Sequence, residues 1–181
     1  MNRYILTGAP GAGKTMLIRQ LERQNFSVGE EAATDVIALE QAMGNLEPWS
    51  EPRFVESILE LQLRRIDAAA GSDSAVQFHD RSIFCTCALA RFLQFPIPAA
   101  LDLAVRQAVD QNTYQRRVFF VQSLGFIAPT EARRINLADA LRFERVHEDI
   151  YQEFGFELYR VVPAPIPNRV ASILEAIRAT N

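Results

Sequence analysis

The chain has 181 residues, of which 49% are hydrophobic and 23% are charged, and its formal net charge is −3. This length and composition predict one soluble globular domain covering residues 1–181. The charge balance argues against bulk nucleic-acid binding, and no apolar run is long enough to span a membrane. A strand begins directly at the N-terminus without a signal peptide, so we expect a cytoplasmic protein.

Strands and helices alternate along the chain, which is typical of an α/β fold with a mainly parallel sheet. The apolar patterns predict five strands, at residues 2–7, 26–29, 75–78, 118–121 and 157–162. They predict helices at about 15–24, 32–43, 51–70, 82–93, 99–112 and 130–154, with a last helix after residues 163–167. In such a sheet, ligands bind at the carboxyl ends of the strands, where we therefore look for a site.

The first strand leads into a glycine-rich loop that contains the only lysine of the chain. The loop has two glycines four residues apart followed by Lys and Thr, and strand, loop and helix is the context of a P-loop. Its backbone N–H groups and the helix N-terminus suit a phosphate chain. The predicted nucleotide-binding residues are Gly8, Ala9, Pro10, Gly11, Ala12, Gly13, Lys14 and Thr15.

Within this motif, the side chains of Lys14 and Thr15 have separate predicted roles. Lysine is a compact point charge on a flexible stem, so Lys14 is expected to reach the β- and γ-phosphates. The Thr15 hydroxyl is expected to help hold Mg²⁺. The alternative is a plain glycine turn that caps a helix.

The third strand ends near Asp80, which Arg81 and Ser82 follow. P-loop proteins place a second magnesium-positioning carboxylate at the end of such a strand, so Asp80 is a candidate metal residue. Arg81 is a candidate for contact with a phosphate or a transition-state oxygen. The alternatives are a helix-capping role for Asp80 and a surface ion pair for Arg81.

Glu31 follows the second strand, opposite the glycine loop. A carboxylate there could accept the proton of a substrate hydroxyl or contact Mg²⁺ through water. It could equally favour the dipole of the following helix as an acidic first-turn residue. Glu30 beside it is a weaker candidate.

Two arginines after the fourth strand, Arg133 and Arg134, begin a polar helix. A cationic lid at about 123–140 could close over ATP and neutralise charge on the γ-phosphoryl group, and the alternative is a solvated helix. Adenine contacts are expected from the loop that begins at Pro163.

The remaining candidates have mainly structural interpretations. His79 is predicted to pack in the core and His147 to be exposed on the polar helix. Cys85 and Cys87 are predicted to be buried free thiols, because two further zinc ligands are not suitably spaced. Trp49 could line an acceptor pocket or anchor its loop, and the sequence does not separate these possibilities.

The class of P-loop protein follows partly by exclusion. A chain whose sole lysine is Lys14 cannot contain the Asn-Lys-x-Asp motif with which GTPases select guanine. An AAA+ motor usually carries an Asp-Glu pair after strand 3 and a separate helical domain. The Asp80-Arg81-Ser82 sequence and an arginine-rich lid instead resemble deoxynucleoside and thymidylate kinases.

Nearly the whole chain resembles the NadR-type family of small P-loop proteins, which are related to ribosylnicotinamide kinase. The resemblance is carried, in order, by residues 8–15, 29–33, 59–62, 80–82, 131–134 and 151–157. It implies a three-layer α/β/α P-loop fold similar to nucleoside kinases, ATP and Mg²⁺ binding, and functional positions at Glu31, Asp80 and Arg134. Some members phosphorylate a nucleoside, and many have no assigned substrate.

We therefore expect an ATP- and Mg²⁺-dependent small-molecule kinase whose catalytic residues are Lys14, Glu31, Asp80, Arg81 and Arg134. Its acceptor would be a nucleoside- or nucleotide-like small molecule. The alternatives are an ATPase coupled to a partner protein and a non-catalytic nucleotide sensor.

Overall fold

The computed structural model describes residues 1–69, 74–123 and 137–179. Within them lie five strands: β1 (Asn2–Thr7), β2 (Ser27–Gly29), β3 (Val76–Asp80), β4 (Arg117–Val121) and β5 (Glu157–Val161). The α-helices of the described residues are α1 (Lys14–Glu22), α2 (Ala32–Ala42), α3 (Arg53–Ala68), α4 (Ile83–Phe92), α5 (Ala99–Asp110), α6 (Leu137–Glu153) and α7 (Ile166–Arg178). A 3₁₀ turn covers Pro48–Ser50.

The five strands form one sheet in the order β2-β3-β1-β4-β5, and every neighbouring pair is parallel. This confirms the predicted five-stranded α/β fold. The chain moves from β1 to one side of the sheet and then crosses to β4 on the other side. Ligands bind at such a switch point, outside the carboxyl ends of the strands. The residues that follow β1, β2 and β3 therefore share one edge of the sheet.

Alternation along β1 separates the two faces of the sheet. Tyr4 and Leu6 belong to an apolar cluster that includes residues of α1 and α7. Ile5, between them, belongs to a larger cluster with residues of α3, α4, α5 and α6. Because β1 is central and buried on both faces, its apolar residues, Tyr4, Ile5 and Leu6, are consecutive. The result is the three-layer sandwich expected from the sequence.

A third and smaller apolar cluster joins α2 to α3. It contains buried Val36, Phe54 and Ile58, and Trp49 of the 3₁₀ turn packs against it. This cluster holds α2 and α3 together as one wall beside the carboxyl edge of the sheet.

The boundaries of the predicted elements shift only slightly. β3 continues to Asp80, two residues beyond the predicted end, so the carboxylate is the last residue of the strand itself. The predicted start of the long polar helix, near residue 130, lies outside the described residues. From Leu137 onwards that segment is helical, as predicted.

Candidate active site

The glycine loop lies in close contact with β4. Gly8 has φ 124°, and a Cβ there would lie 2.3 Å from the carbonyl oxygen of Val121. Gly13, with φ 88°, is the N-cap of α1. Residues with a side chain rarely adopt such angles, so these two glycines are required by the shape of the loop and by its approach to the sheet. The loop thus leads directly into the N-terminus of α1, where anions bind.

Lys14, the first residue of α1, folds back over this loop. Its Nζ atom donates hydrogen bonds to the carbonyl oxygens of Gly8, at 3.1 Å, and Ala9, at 2.8 Å. The side chain is buried, and burial together with the nearby charge of Arg81 lowers the pKa of Lys14 to about 8. Anionic phosphates beside this ammonium group would compensate the cost of its burial.

Thr15 and Asp80 are brought together as the sequence predicts. The Thr15 hydroxyl donates a hydrogen bond to Oδ2 of Asp80 at 3.0 Å. Oδ1 of Asp80 is buried and has no hydrogen-bond partner among the described residues. Burial and the negative charge of Glu31 raise the pKa of Asp80 to about 6. An uncompensated carboxylate oxygen beside a hydroxyl is a suitable ligand pair for a hard cation such as Mg²⁺.

Glu31 and Arg81 form a partly buried ion pair at the carboxyl edge of the sheet. Nε of Arg81 donates to Oε1 of Glu31 at 2.5 Å, and the Thr34 hydroxyl donates to Oε2 at 2.9 Å. Burial raises the pKa of Glu31, but the charges of Arg81 and Lys14 and these hydrogen bonds outweigh it, so the net shift is downward. Glu31 is therefore a carboxylate held in one orientation.

The backbone of Arg81 explains how this residue reaches the site. Its φ angle is 72°, which is unusual for a residue with a side chain, and its N–H donates to the carbonyl of Leu6 at 3.0 Å. Strained backbone of this kind is concentrated at functional sites. The turn ends β3 immediately after Asp80, so the side chains of Asp80 and Arg81 leave the backbone in different directions.

His147 was predicted to be exposed, and this prediction is wrong because the side chain is completely buried. Its Nδ1 lies 2.8 Å from the carbonyl oxygen of Phe143, and its Nε2 lies 3.1 Å from Nη1 of Arg81. The carbonyl oxygen of Phe143 can only accept a hydrogen bond and the guanidinium of Arg81 can only donate one. Nδ1 of His147 therefore donates and Nε2 accepts. The sequence does carry a signal, because Phe143, His147, Ile150 and Tyr151 share helical spacing and are all buried.

His79 is a core residue, as predicted. Its Nε2 is 2.9 Å from Oε1 of Gln77, its ring meets that of Tyr114 edge to face, and burial lowers its pKa to about 4. Cys85 and Cys87 are buried and free, also as predicted. Cys85 lies 3.3 Å from the Thr7 hydroxyl and lines the cleft described below.

Arg169 is a second residue that sequence reasoning missed. It is fully buried on α7, and its Nη1 donates to the carbonyl oxygen of Ala12 in the glycine loop at 3.0 Å. Its Nε and Nη2 atoms have no partner among the described residues. Arg169 therefore holds the loop from α7, 157 positions away in the chain. Its helical spacing with the buried residues Ile173 and Ile177 indicates burial, but nothing in the local sequence indicates its contact with the loop.

A cleft of about 960 Å³ opens above these side chains. On one side it is lined by the glycine loop and by the four charged groups of Lys14, Glu31, Asp80 and Arg81. The opposite wall comes from α2, α3, α4, α6 and the 3₁₀ turn and includes Trp49, Phe54, Ile58, Gln62, Thr86, Leu89, Phe92 and Phe143. Trp49 thus both lines the pocket and anchors its loop.

Several predicted residues lie elsewhere or are untested. Arg133 and Arg134, with most of the predicted lid, lie outside the described residues. Pro163 is exposed, and the expected adenine contact at this position stays a prediction. A smaller cavity of about 440 Å³ is lined by Ile166 and Pro167 of the same segment and by residues of α1.

The fold and the geometry of the loop define a P-loop nucleotide-binding domain. Residues 3–169 match the AAA domain family AAA_28, and the chain belongs to this family. No curated protein sequence matches the chain significantly.

Similar solved structures include two of deoxyadenosine kinase from M. mycoides and one of NadR. The kinase with the products dCMP and dCDP has a TM-score of 0.65 at 12% identity, over 98% of this chain and 99% of that chain. The same kinase with dCTP has a TM-score of 0.67 at 11% identity, over 99% and 100% of the two chains. NadR in complex with NR has a TM-score of 0.67 at 16% identity, over 98% of this chain but only 50% of that chain. At these identities the likeness shows the fold.

In the part of the chain that the structure describes, no helix is both long enough and apolar enough to cross a bilayer.

Proposed function

We propose that the protein is an ATP- and Mg²⁺-dependent kinase that transfers the γ-phosphate to a nucleoside- or nucleotide-like small molecule in the cytoplasm. One observation carries the proposal. The P-loop lysine, the Thr15–Asp80 pair and the Glu31–Arg81 pair all open onto the same cleft, which continues into an aromatic and amide-lined chamber. Hydrolysis requires only room for water, whereas this chamber can hold a second organic molecule.

The charged groups divide the expected work of phosphoryl transfer. Lys14 and the loop amides, residues 8–15, would bind the phosphate chain, and Arg81 would contact the transferred group. The acceptor oxygen forms a bond to the γ-phosphorus while the bond to the bridging oxygen breaks, and ADP leaves with that electron pair. Glu31 would orient the acceptor hydroxyl and take its proton. Arg134 of the predicted lid would add positive charge, with Arg133 beside the nucleotide.

The donors near the glycine loop fit a magnesium ion. Thr15 and Asp80 would hold it, and the buried, unpartnered Oδ1 of Asp80 is the observation that supports this. No cluster of three or more His, Cys, Asp or Glu side chains poised for a metal occurs within residues 1–69, 74–123 and 137–179. One hydroxyl and one carboxylate, as in Thr15 and Asp80, are characteristic protein ligands of Mg²⁺ in nucleotide sites, where phosphate oxygens and water complete the coordination. When bound, the ion neutralises charge on the β- and γ-phosphates.

The lining of the far wall of the cleft favours an aromatic or heterocyclic molecule as the acceptor. Trp49, Phe54 and Phe92 offer flat apolar surfaces. Among them, the Thr86 hydroxyl donates to Oε1 of Gln62 at 2.7 Å, which fixes the orientation of the Gln62 amide. An oriented amide among aromatic rings can recognise the polar edge of a ring system.

An acceptor screen tests the proposal. The protein is incubated with Mg-ATP and a pool of nucleosides, nucleotides and vitamin precursors, and products are read by mass spectrometry beside a Lys14→Ala control. A phosphorylated metabolite formed only by the wild type is the expected result and identifies the acceptor. ADP without a phosphorylated acceptor would overturn the kinase assignment in favour of an ATPase, and no ADP would favour a nucleotide sensor.

A further inference from the structure

The Arg81 guanidinium is held at two points by chemically different partners. Glu31, at the start of α2, accepts from Nε, and His147, on α6, accepts from Nη1. A single hydrogen bond at Nε would leave the guanidinium free to pivot about that contact. A second bond from another element fixes the plane of the group. The Phe143 ring, whose centroid is 5.9 Å from Cζ, packs against the same group.

His147 is committed to the acceptor role before any ligand arrives. Its Nδ1–H is used by the carbonyl of Phe143, one turn earlier in α6, so Nε2 carries the lone pair. Burial and the charge of Arg81 lower the pKa of His147 well below its ordinary value, which keeps the ring neutral. The imidazole is therefore a fixed neutral acceptor in a fully buried position.

The neutrality of the second partner matters for the charge of Arg81. A carboxylate at position 147 would add a second negative charge beside Arg81, which Glu31 already neutralises in part. An imidazole orients the guanidinium and leaves its positive charge available to a phosphoryl oxygen. The bonds to Glu31 and His147 use one N–H of Nε and one of Nη1, so the guanidinium retains further donors for a ligand.

We infer that His147 is a positioning residue for the transfer step. It holds the Arg81 guanidinium in the orientation that contacts the phosphoryl group in the transition state. The inference rests on the role given to Arg81 under the proposed function. It adds that this role depends on a buried histidine of α6 which touches neither nucleotide nor acceptor. Preorganised donors of this kind lower the barrier because they need no rearrangement during reaction.

The test compares the affinity of the full-length protein for Mg-ADP with its affinity for Mg-ADP plus aluminium fluoride, which mimics the transferred group. In His147→Phe, which retains a ring but lacks an acceptor, the tightening caused by aluminium fluoride should fall by about 10- to 100-fold, with Mg-ADP affinity nearly unchanged. His147→Gln, whose side-chain carbonyl can reach Arg81, should recover most of it. His147→Asn, whose shorter amide matches only the Nδ1 position, should not.

Arg81→Met provides the matched comparison. It should lose at least as much tightening as His147→Phe, because it removes the group that His147 holds. The double variant should lose no more than Arg81→Met alone, since His147 acts only through Arg81. Where His147→Phe fails to fold, by thermal unfolding, the Gln and Asn pair answers the same question.

Three results would overturn the inference. They are equal loss of Mg-ADP and Mg-ADP–aluminium fluoride affinity, additive losses in the double variant, and no tightening by aluminium fluoride in the wild type. An acceptor screen without product would overturn the kinase assignment alone, because an ATPase also binds this mimic.

Discussion

The proposed nucleotide half and the proposed acceptor half of the cleft are built in opposite ways. The phosphate-binding loop of the nucleotide half is one continuous segment, residues 8–15, whose backbone shape is set by Gly8 and Gly13. Glu31, Asp80 and Arg81 join this loop from the ends of β2 and β3. The acceptor half is assembled from side chains of α2, α3, α4, α6 and the 3₁₀ turn, which are separated by tens of residues. A backbone cradle recognises a phosphate chain that many ligands share, whereas a wall of side chains can change its specificity one residue at a time.

The halves also differ in charge. Lys14, Glu31, Asp80 and Arg81 are close enough that the charge of each shifts the pKa values of its neighbours. The wall around Gln62 and Thr86 is mainly aromatic, aliphatic and neutral polar, and its charged members are Asp35 of α2 and Asp139 and Arg142 of α6. Changes in the first half should therefore affect turnover and nucleotide affinity, and changes in the second half should affect the acceptor KM.

The largest effect is expected from Lys14→Ala. The variant loses the only lysine and the charge proposed to meet the β- and γ-phosphates, so we expect phosphoryl transfer to fall by about 10³-fold or more. Removal of a buried ammonium group should leave the fold intact. The measurements are nucleotide turnover and circular dichroism, with Arg178→Met, an exposed change on α7, as the control. Undiminished turnover in folded Lys14→Ala would refute the assignment of the nucleotide half.

Glu31→Gln should come next, with a loss of about 10²- to 10³-fold in transfer. The Gln carbonyl can still accept from Arg81, so the change removes the proposed base and its negative charge while it retains the geometry. Nucleotide affinity should change little. The measurement is kcat with the identified acceptor, beside ADP release without acceptor. A sensor or a partner-driven ATPase that does not use Glu31 would show unaltered activity.

Glu31 also tests the coupling within the charged network. Because its negative charge is one cause of the raised pKa of Asp80, Glu31→Gln should move the Asp80 pKa downward from about 6. The carboxyl carbon of Asp80 can be followed by NMR as pH is varied. An unchanged Asp80 pKa would show that the charges of Glu31 and Asp80 are not coupled.

The nucleotide half was largely predictable because it is local. The spacing of glycines, Lys14 and Thr15 defines the loop, and Asp80 follows from its place at the end of an apolar strand. The contacts of His147 and Arg169 were not predicted, because each side chain acts on a segment far away in sequence. The burial of His147 could have been recognised from its spacing with Phe143 and Tyr151, but its contact with Arg81 required the packing of α6 against α4.

A smaller and more selective effect is expected in the acceptor half. Gln62→Leu removes the amide that Thr86 orients, so we expect the acceptor KM to rise by about 10- to 100-fold while the KM for ATP is unchanged. Arg64→Leu, an exposed change on the same helix, is the control. Equal changes in both KM values would contradict the division of the cleft into two halves. No change in either KM would show that Gln62 does not contact the acceptor.

The smallest expected effect is the uptake or release of a fraction of a proton when Mg-ATP binds. It distinguishes Lys14, the proposed phosphate contact, from Asp80, the proposed metal ligand, and it needs no acceptor. Lys14 has a pKa of about 8 before nucleotide binds, and phosphate anions raise the pKa of a neighbouring ammonium group. At pH 8.5 the free protein holds Lys14 mostly unprotonated, so Mg-ATP binding should take up protons. Asp80 has a pKa of about 6, which a bound cation lowers, so binding at pH 6 should release protons.

Calorimetric titrations in buffers of different ionisation enthalpy measure both quantities. ATP itself releases protons to Mg²⁺ near pH 6, so the contribution of Asp80 is the difference between the wild type and Asp80→Asn. That difference should vanish at pH 8.5, where Asp80 is ionised before binding, and the proton uptake there should survive in Asp80→Asn because it belongs to Lys14. If the uptake disappeared with Asp80, the two groups would be inseparable, and the nucleotide half would act as one titrating unit instead of a phosphate site beside a metal site.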